Sequence, residues 1–335
     1  MRLAQNIAMG LGALRANFLS ARVPLSVMLS VTNRCNSKCW YCDIPLRRQK
    51  EMSTQEILTL IDEMAEAGVR KLSLWGGEPL LRNDIGRLID RAKEKGMYVN
   101  IDTNGYLIPE RFESIRNLDF IISSFDGDKD VHDKNREPGA YDKFIRALAF
   151  INRRIPVWTL TVLTRHNIES VDFIIEKANE FGFFTLFQVP YHPSQIGSAE
   201  DLFASSEEYR RVFNYLIKLK KEGAPIISST QYLNAVAKWG FYPEMTSETG
   251  ISGFPQCWAG RLFCNIDTNG DLYPCSPMIG KMKDPPNALR EGFARSFNRL
   301  QSPQCRACLS ACCLEANYVF SFDWRSIAEW MRVTS

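Results

Sequence analysis

Leu25-Ser-Val-Met-Leu-Ser-Val31 is followed closely by Cys35-Asn-Ser-Lys-Cys39-Trp-Tyr-Cys42. The first stretch is rich in apolar and β-branched residues and reads as a strand. The second puts three thiols on one short loop with C-x3-C-x2-C spacing. Three thiolates so placed can hold three irons of a [4Fe–4S] cube. The fourth iron has no nearby protein ligand, because the next cysteine is Cys257, more than 200 residues on. An open iron is a place for a substrate or cofactor to chelate. A zinc loop and buried free thiols are the competing readings. Zinc needs a fourth ligand, and this loop offers only Asp43.

Outward from that loop, strand and helix patterns alternate. Ser53-Thr-Gln-Glu56 is a capping box with Ile57, Leu60, Ile61 and Met64 on one helical face behind it, and Gly68 stops that helix. Lys71–Trp75 is a strand ending in Gly76-Gly77-Glu78-Pro79. Asn83 is positioned to cap a helix running to Lys95, stopped by Gly96. Strands are predicted over residues 98–102, 120–124, 157–163 and 184–189, and helices over 141–151, 168–181 and 205–221. Six strands each followed by a helix or helical turn form a parallel sheet with right-handed crossovers, either a doubly wound sheet or a barrel. Each unusual cluster lies at the C-terminal end of a strand, the edge where both architectures bind ligands.

Composition sets the limits of the reading. The 335 residues are 45% hydrophobic and 24% charged, which describes a globular chain large enough for two or three domains. No stretch of 18 apolar residues exists, so no transmembrane helix is expected. A net charge of +3 gives no reason to expect nucleic acid as a partner. The 10 cysteines divide into Cys35, Cys39 and Cys42, then Cys257, Cys264, Cys275, Cys305, Cys308, Cys312 and Cys313. Two tight sets on a large chain point to clusters or metal rather than disulfides. His132, His166 and His192 are the 3 histidines, none near a cysteine set, which disfavours mixed zinc sites. The expected setting is therefore the cytoplasm.

The first 42 residues contain Arg2, Arg15, Arg22, Arg34 and Lys38 and no acid, so the remainder carries −2 of the total +3. Residues 1–24 form an N-terminal segment in which Leu3, Ile7, Leu11, Leu14 and Phe18 recur at helical spacing. A helix packed on the body of the protein is the leading reading. Peripheral membrane contact through residues 1–22 is the minority one, and a signal peptide fits poorly because Arg15 interrupts the apolar run. Residues 25–222 carry the alternating pattern, 223–255 a linker, 256–320 the second cysteine set, and 321–335 a closing helix with Trp324, Ile327, Ala328 and Met331 on one side.

The first cysteine loop resembles the signature of the radical S-adenosylmethionine (radical SAM) superfamily, with Tyr41 in its aromatic position. Gly76-Gly77-Glu78-Pro79 is similar to that family's GGEP turn, which contacts the amino group of the cofactor's methionine part. The resemblance covers about residues 25–222 and implies an α/β partial (β/α)6 TIM-like barrel. It implies cofactor contacts at Thr103 and Asn104, at Ser123 or Ser124 with Asp126 on the ribose, and at Asn167 and Gln188 on adenosine. Arg136, in the stretch from His132 to Gly139, is a candidate for the methionine carboxylate or a surface ion pair. No catalytic residue beyond these is assigned. The chemistry implied is reductive cleavage of S-adenosylmethionine to a 5′-deoxyadenosyl radical that activates a C–H or unsaturated bond, supplied with electrons by flavodoxin or ferredoxin.

The second set, with the Asn269-Gly270 turn predicting a hairpin that draws Cys264 and Cys275 together, is similar to the SPASM or shorter twitch auxiliary-cluster domain. The spacing departs from SPASM after Cys308, and Cys312 and Cys313 are adjacent. Two closed [4Fe–4S] clusters need eight thiolates and this set has 7. One auxiliary cluster with spare cysteines, two with one open site, and a zinc ribbon are the alternatives. The substrate class implied is a peptide or small molecule, with a lipid as the alternative drawn from the acid-free N-terminus. A non-catalytic iron–sulfur or zinc protein is the reading of a different class.

Overall fold

A computed structural model describes residues 3–19, 21–151, 153–191 and 198–334. His192 lies outside the described residues. The chain opens with helix α1 (Leu3–Leu19), then β1 (Ser26–Thr32), α2 (Thr54–Glu66), β2 (Lys71–Gly76), α3 (Ile85–Glu94), β3 (Tyr98–Thr103), α4 (Ile108–Ile115) and β4 (Phe120–Ser124). It continues with α5 (Lys129–Asn135), α6 (Ala140–Ile151), β5 (Val157–Val162), α7 (Val171–Phe181), β6 (Phe184–Gln188), α8 (Ala199–Leu202), α9 (Ser206–Lys221) and α10 (Thr230–Ala237). The last part holds β7 (Thr246–Ser247), β8 (Phe263–Ile266), β9 (Leu272–Tyr273), α11 (Ala288–Glu291), α12 (Phe293–Arg299), β10 (Ala307–Cys308), α13 (Ala311–Phe320) and α14 (Trp324–Thr334).

The six expected strands pair in parallel in the order β6-β5-β4-β3-β2-β1. The sheet then extends beyond the sixth strand. β8 pairs in parallel with β1, Val27 opposite Cys264, and β9 closes it antiparallel. The cysteine-rich segment thus shares its hairpin with the sheet, and β7 with β10 form a separate two-stranded ladder.

Alternation decides what each strand shows to either side. Val27, Leu29, Leu72, Leu74, Val99, Ile101 and Ile121 point outward into a core shared with the α2 and α3 residues Ile57, Leu60, Ile61, Leu88 and Ile89. The intervening residues therefore face the barrel interior: Met28, Lys71, Ser73, Trp75, Asn100, Asp102, Ile122, Ser124, Leu160, Leu186 and Gln188. The predicted capping box forms, with Glu56 N–H donating to Ser53 Oγ at 3.3 Å and Ser53 N–H to Glu56 at 2.7 Å.

Three local expectations are corrected. Asn83 does not cap α3; it accepts from Arg111, and α3 starts after Asp84, which pairs with Arg82 at 2.6 Å. The stretch 223–255 is not merely a linker, because α10 lies in it with five buried residues. The inner face of α14 is Ser326 and Trp330, the latter packed on Trp158, whereas Trp324 and Met331 are exposed. Ser326 lies 4 positions before Trp330, so the helix is rotated relative to the apolar positions that suggested its face.

Candidate functional site

The Cys35–Cys42 loop is held from below by the turn after β2. Gly77 N–H donates to Thr32 O at 2.7 Å and Glu78 N–H to Arg34 O at 2.8 Å. The approach is so close that a Cβ on Gly77 would lie 2.2 Å from Arg34 O, and one on Gly76 2.3 Å from Thr32 O, at a φ of +135°. Both glycines are therefore required by the cysteine loop itself. Glu78 is fully buried, and both of its oxygens are occupied. They accept from Leu80 N–H at 2.9 Å, Thr103 Oγ1 at 2.8 Å and Asn104 N–H at 2.8 Å. Burial pushes its carboxyl up to about 7. Glu78 thus ties the ends of β2 and β3 together. Pro79 starts a short 3-10 turn behind it.

On the opposite side of the loop, Arg136 is buried rather than on the surface. It donates to Asp126 at 2.8 Å and Tyr41 Oη at 3.0 Å, and its third nitrogen lies 3.6 Å from Cys39 Sγ. Tyr41 Oη also donates to Asp126 at 3.2 Å. Burial works against the guanidinium charge, but Asp126, Tyr41 and Cys39 around it hold it protonated well above its ordinary range. Ser37 adds two contacts to sulfur, its N–H to Cys35 and its hydroxyl to Cys39, both at 3.4 Å. Asn36 accepts from Asn104 at 2.7 Å, and Trp40 Nε1 donates to Asn135 at 3.1 Å. Sequence reasoning missed Asn36, Ser37, Trp40 and Asn135. Position inside the loop was the available signal for the first three, and position beside Arg136 in the stretch from His132 to Gly139 was the signal for Asn135.

Thr103, Asn104 and Asn167 are committed to the protein. Asn167 accepts from Thr164 N–H at 2.6 Å and donates to Asp126 O at 3.1 Å and Val162 O at 3.0 Å, fastening β4 to β5. Ser123 points outward and donates to Thr103 O at 3.1 Å. Ser124 and Gln188 line the interior and are partly exposed. Asp126 keeps one buried oxygen, Oδ1, without a partner. His132 accepts from Asp126 N–H at 3.1 Å; burial, with Arg136 adding, keeps its imidazole neutral.

The second cysteine set divides. Burial alone pushes the Cys264 thiol up, with no cysteine among the groups that influence it, and its side chain packs in the outer core beside Val27 and Ile266. The hairpin does form, but Asn265 opposes Tyr273, so Cys264 and Cys275 face opposite sides of the sheet. Cys275, Cys308 and Cys313 instead share a core with partly buried Cys257. Cys257, Cys305, Cys308, Cys312, Cys313 and Cys275 form one electrostatically connected group. Cys312 and Cys313 sulfurs are 3.9 Å apart. Cys312 is exposed, and its sulfur lies 3.4 Å from Ser310 Oγ and 4.0 Å from Ser276 Oγ. Among the described residues, no three His, Cys, Asp or Glu side chains converge as ligands of a single metal ion.

A model of the radical SAM superfamily matches residues 29–178. PqqA peptide cyclase from Granulibacter bethesdensis is 30% identical over 264 residues, covering 75% of this chain and 67% of that protein. The chain belongs to the radical SAM superfamily. Mycofactocin maturase MftC from Mycolicibacterium smegmatis is 27% identical over 310 residues, 86% of this chain and 75% of its own. The crystal structure of Streptococcus suis SuiB bound to precursor peptide SuiA shares the fold with a TM-score of 0.67 at 19% identity, covering 88% of this chain and 68% of that one.

Radical SAM enzymes use a [4Fe–4S] cluster and S-adenosylmethionine, and the donor set of the first loop fits such a cluster. Cys35, Cys39 and Cys42 are all free and none is fully buried. Burial, with neighbouring cysteines adding, pushes Cys35 up to about 11 and Cys42 up to about 12. Thiols so placed ionise when cationic iron is there to hold the thiolates. Ser37 and Arg136 supply donors to the sulfurs, the kind of neighbour that tunes an iron–sulfur cluster.

Proposed function

We propose that this radical SAM enzyme modifies a peptide inside its barrel. The observation that carries the reading is that the two sulfur groups address one interior. The first loop closes the C-terminal ends of β1 to β3, and Cys312 Sγ lies 4.0 Å from Ser276 Oγ, which in turn lies 4.0 Å from Met28 Sδ in the interior. The names of PqqA peptide cyclase and the peptide-bound SuiB structure support a peptide as the substrate class.

In this reading residues 25–222 form the barrel, and 256–320 supply an auxiliary [4Fe–4S] cluster of the SPASM or twitch kind, built from four of the six grouped cysteines. Cys35, Cys39 and Cys42 hold the first cluster. With both bound, the cluster and S-adenosylmethionine would supply the radical chemistry that activates a C–H bond. The protein positions and excludes water. The N–H groups of Gly77 and Glu78 and the Glu78 carboxylate are all occupied within the fold. This turn therefore offers carbonyl oxygens to the methionine ammonium. Arg136 and Tyr41 fix the loop against Asp126, whose remaining oxygen has no partner in the fold and would be available to a ribose hydroxyl. Ser124 and Gln188 are the interior side chains available to the nucleoside.

The interior has two walls. Ser73 donates to Asn100 at 2.7 Å and Asn100 to Asp102 at 2.9 Å, which makes the β2–β3 wall polar. Ile122, Leu160 and Leu186 make the wall opposite apolar. A peptide side chain with a polar end and an apolar body suits both. A low-potential flavodoxin or ferredoxin is the proposed electron donor, approaching the loop end of the barrel.

The test is anaerobic reconstitution and reduction with S-adenosylmethionine, using deuterated small precursor peptides encoded beside the gene. Deuterium in the 5′-deoxyadenosine supports a peptide substrate. Formation of undeuterated 5′-deoxyadenosine with every such peptide, together with deuterium transfer from a lipid or small-molecule extract, overturns it.

A further inference from the structure

Helix α1 packs the wrong way round for a helix that exists only to cover its own core. The stripe Ile7, Leu11, Leu14 and Phe18 was expected to pack inward. It faces solvent instead, with Leu11 57% and Phe18 79% exposed. The side turned to the protein carries small residues, Ala13 and Ala16, with Met9 beside them; Gly12 lies against Leu25. A helix needs only one apolar face to dock. Here the bulkier face is left over.

The helix is firmly placed at the end of the barrel where the strands begin. Gln5 donates to Gly96 O at 2.7 Å, just before β3, and Asn17 donates to Phe320 O at 3.0 Å. Arg261 reaches Ala16 O at 3.1 Å, and Val23 N–H donates to Arg261 O at 2.9 Å. The exposed stripe is therefore a fixed feature of the surface. Two residues beyond Phe320 the chain turns at Phe322, with φ of +58°, leaving Phe322 and Trp324 exposed. The Arg325 guanidinium lies 5.3 Å over the Trp324 ring.

We propose that this face is a membrane-surface anchor that lies flat on an anionic lipid bilayer. Charge selects that occupant. α1 carries no acid, and no acid occurs in the first 42 residues. Arg15 is exposed at the flank of the stripe, beside Leu11, Leu14 and Leu19. The acid in the adjacent turn, Asp323, caps α14 by accepting from Ser326 N–H at 2.8 Å. A second copy pairing through the same face about a two-fold axis would bring two Arg15-bearing helices together with no carboxylate from either α1 to offset them. A planar anionic surface takes the apolar stripe below the headgroups and leaves Arg15 among phosphates, with tryptophan at the interface. At 17 residues the helix is about 25 Å long, enough to lie in the interface and not a membrane span. Docked this way, the cysteine-loop end of the barrel stays free. The anchor stands whether or not the substrate is a peptide, because its readout is binding to lipid.

The experiment is co-sedimentation of the full reconstituted chain with phosphatidylcholine vesicles, with and without phosphatidylglycerol. Wild-type protein is expected to bind the anionic vesicles and lose most binding in high salt. Leu11→Gln with Phe18→Gln should weaken binding about tenfold, and Arg15→Gln several-fold. Iron content and circular dichroism check that each variant folds; if the double variant does not, Arg15→Gln and the lipid and salt series still decide. No binding of wild type to anionic vesicles overturns the proposal, as does binding unchanged by any of the variants. A wild-type dimer that the double variant disperses in sedimentation velocity would give the face to a second copy, and overturns it too.

Discussion

The two cysteine regions were equally conspicuous in the sequence, yet they differ in how completely sequence spacing describes them. In the first, all three thiols lie on one loop, and every neighbouring element is bent toward holding it. Gly76 and Gly77 admit its backbone, and Arg136 reaches Cys39 from α5's end. In the second, seven cysteines separated by a sheet become six and one, because Cys264 turns to the outer core. A ligand set on one loop is fixed by local spacing. A set spread over a hairpin, a ladder and a helix depends on which face of each element meets the others.

Substitution at the cysteines gives the sharpest contrast. Ala at Cys35, Cys39 or Cys42 should lower 5′-deoxyadenosine formation by at least about a thousandfold, measured by chromatography after anaerobic reduction. Cys264→Ala should leave that rate and the iron content unchanged and cost only about 1 kcal/mol of stability. Loss of iron from Cys264→Ala as large as that from Cys275→Ala would erase the distinction between six and one.

The next effect tests how the first loop is supported. Arg136→Met leaves Asp126 buried without its partner and should cost about 3–5 kcal/mol in denaturant unfolding, with weaker iron retention. Wild-type behaviour would mean that the Asp126–Arg136–Tyr41 network is dispensable. Gly77→Ala places a methyl against Arg34 O and should cost about 1–3 kcal/mol while lowering iron loading at the first loop and not at the second. Equal loss at both regions, read by Mössbauer spectroscopy, would show that the turn supports the whole sheet.

The smallest effect lies between the regions. Burial pushes the Asp102 carboxyl up to about 7, with Lys71 opposing and Cys312 adding to the rise. A carboxyl raised in the folded state contributes stability below the ordinary carboxylate range, and loses it as pH rises toward 7. Wild type should therefore lose more thermal stability between pH 4.5 and 7.5 than Asp102→Asn. Identical slopes would place Asp102 in contact with free solvent.

The six βα units were legible because apolar periodicity and glycine stops are local signals, as at Ile57–Met64 and Gly68. The expected roles of Glu78 and Asn167 were not settled that way. A family motif marks the position, but only the folded chain shows that both side chains are already saturated by neighbouring strand ends. Asn83 and α14 were misread because capping and helix rotation depend on distant partners, Arg111 for one and Trp158 for the other.

By itself, the sequence determined the strand-to-cysteine-loop motif, the glycine turn that follows β2, the alternating architecture and the sulfur-rich C-terminal part. All of these are set by spacing within a few residues. Tertiary structure alone decided that β8 extends the sheet beside β1, that Cys264 leaves the second sulfur group, and that α1 turns its larger apolar face outward. The physical reason is common to the three. A side chain's surroundings depend on which partner its element packs against, and a strand or helix with two apolar faces does not encode which one will be covered.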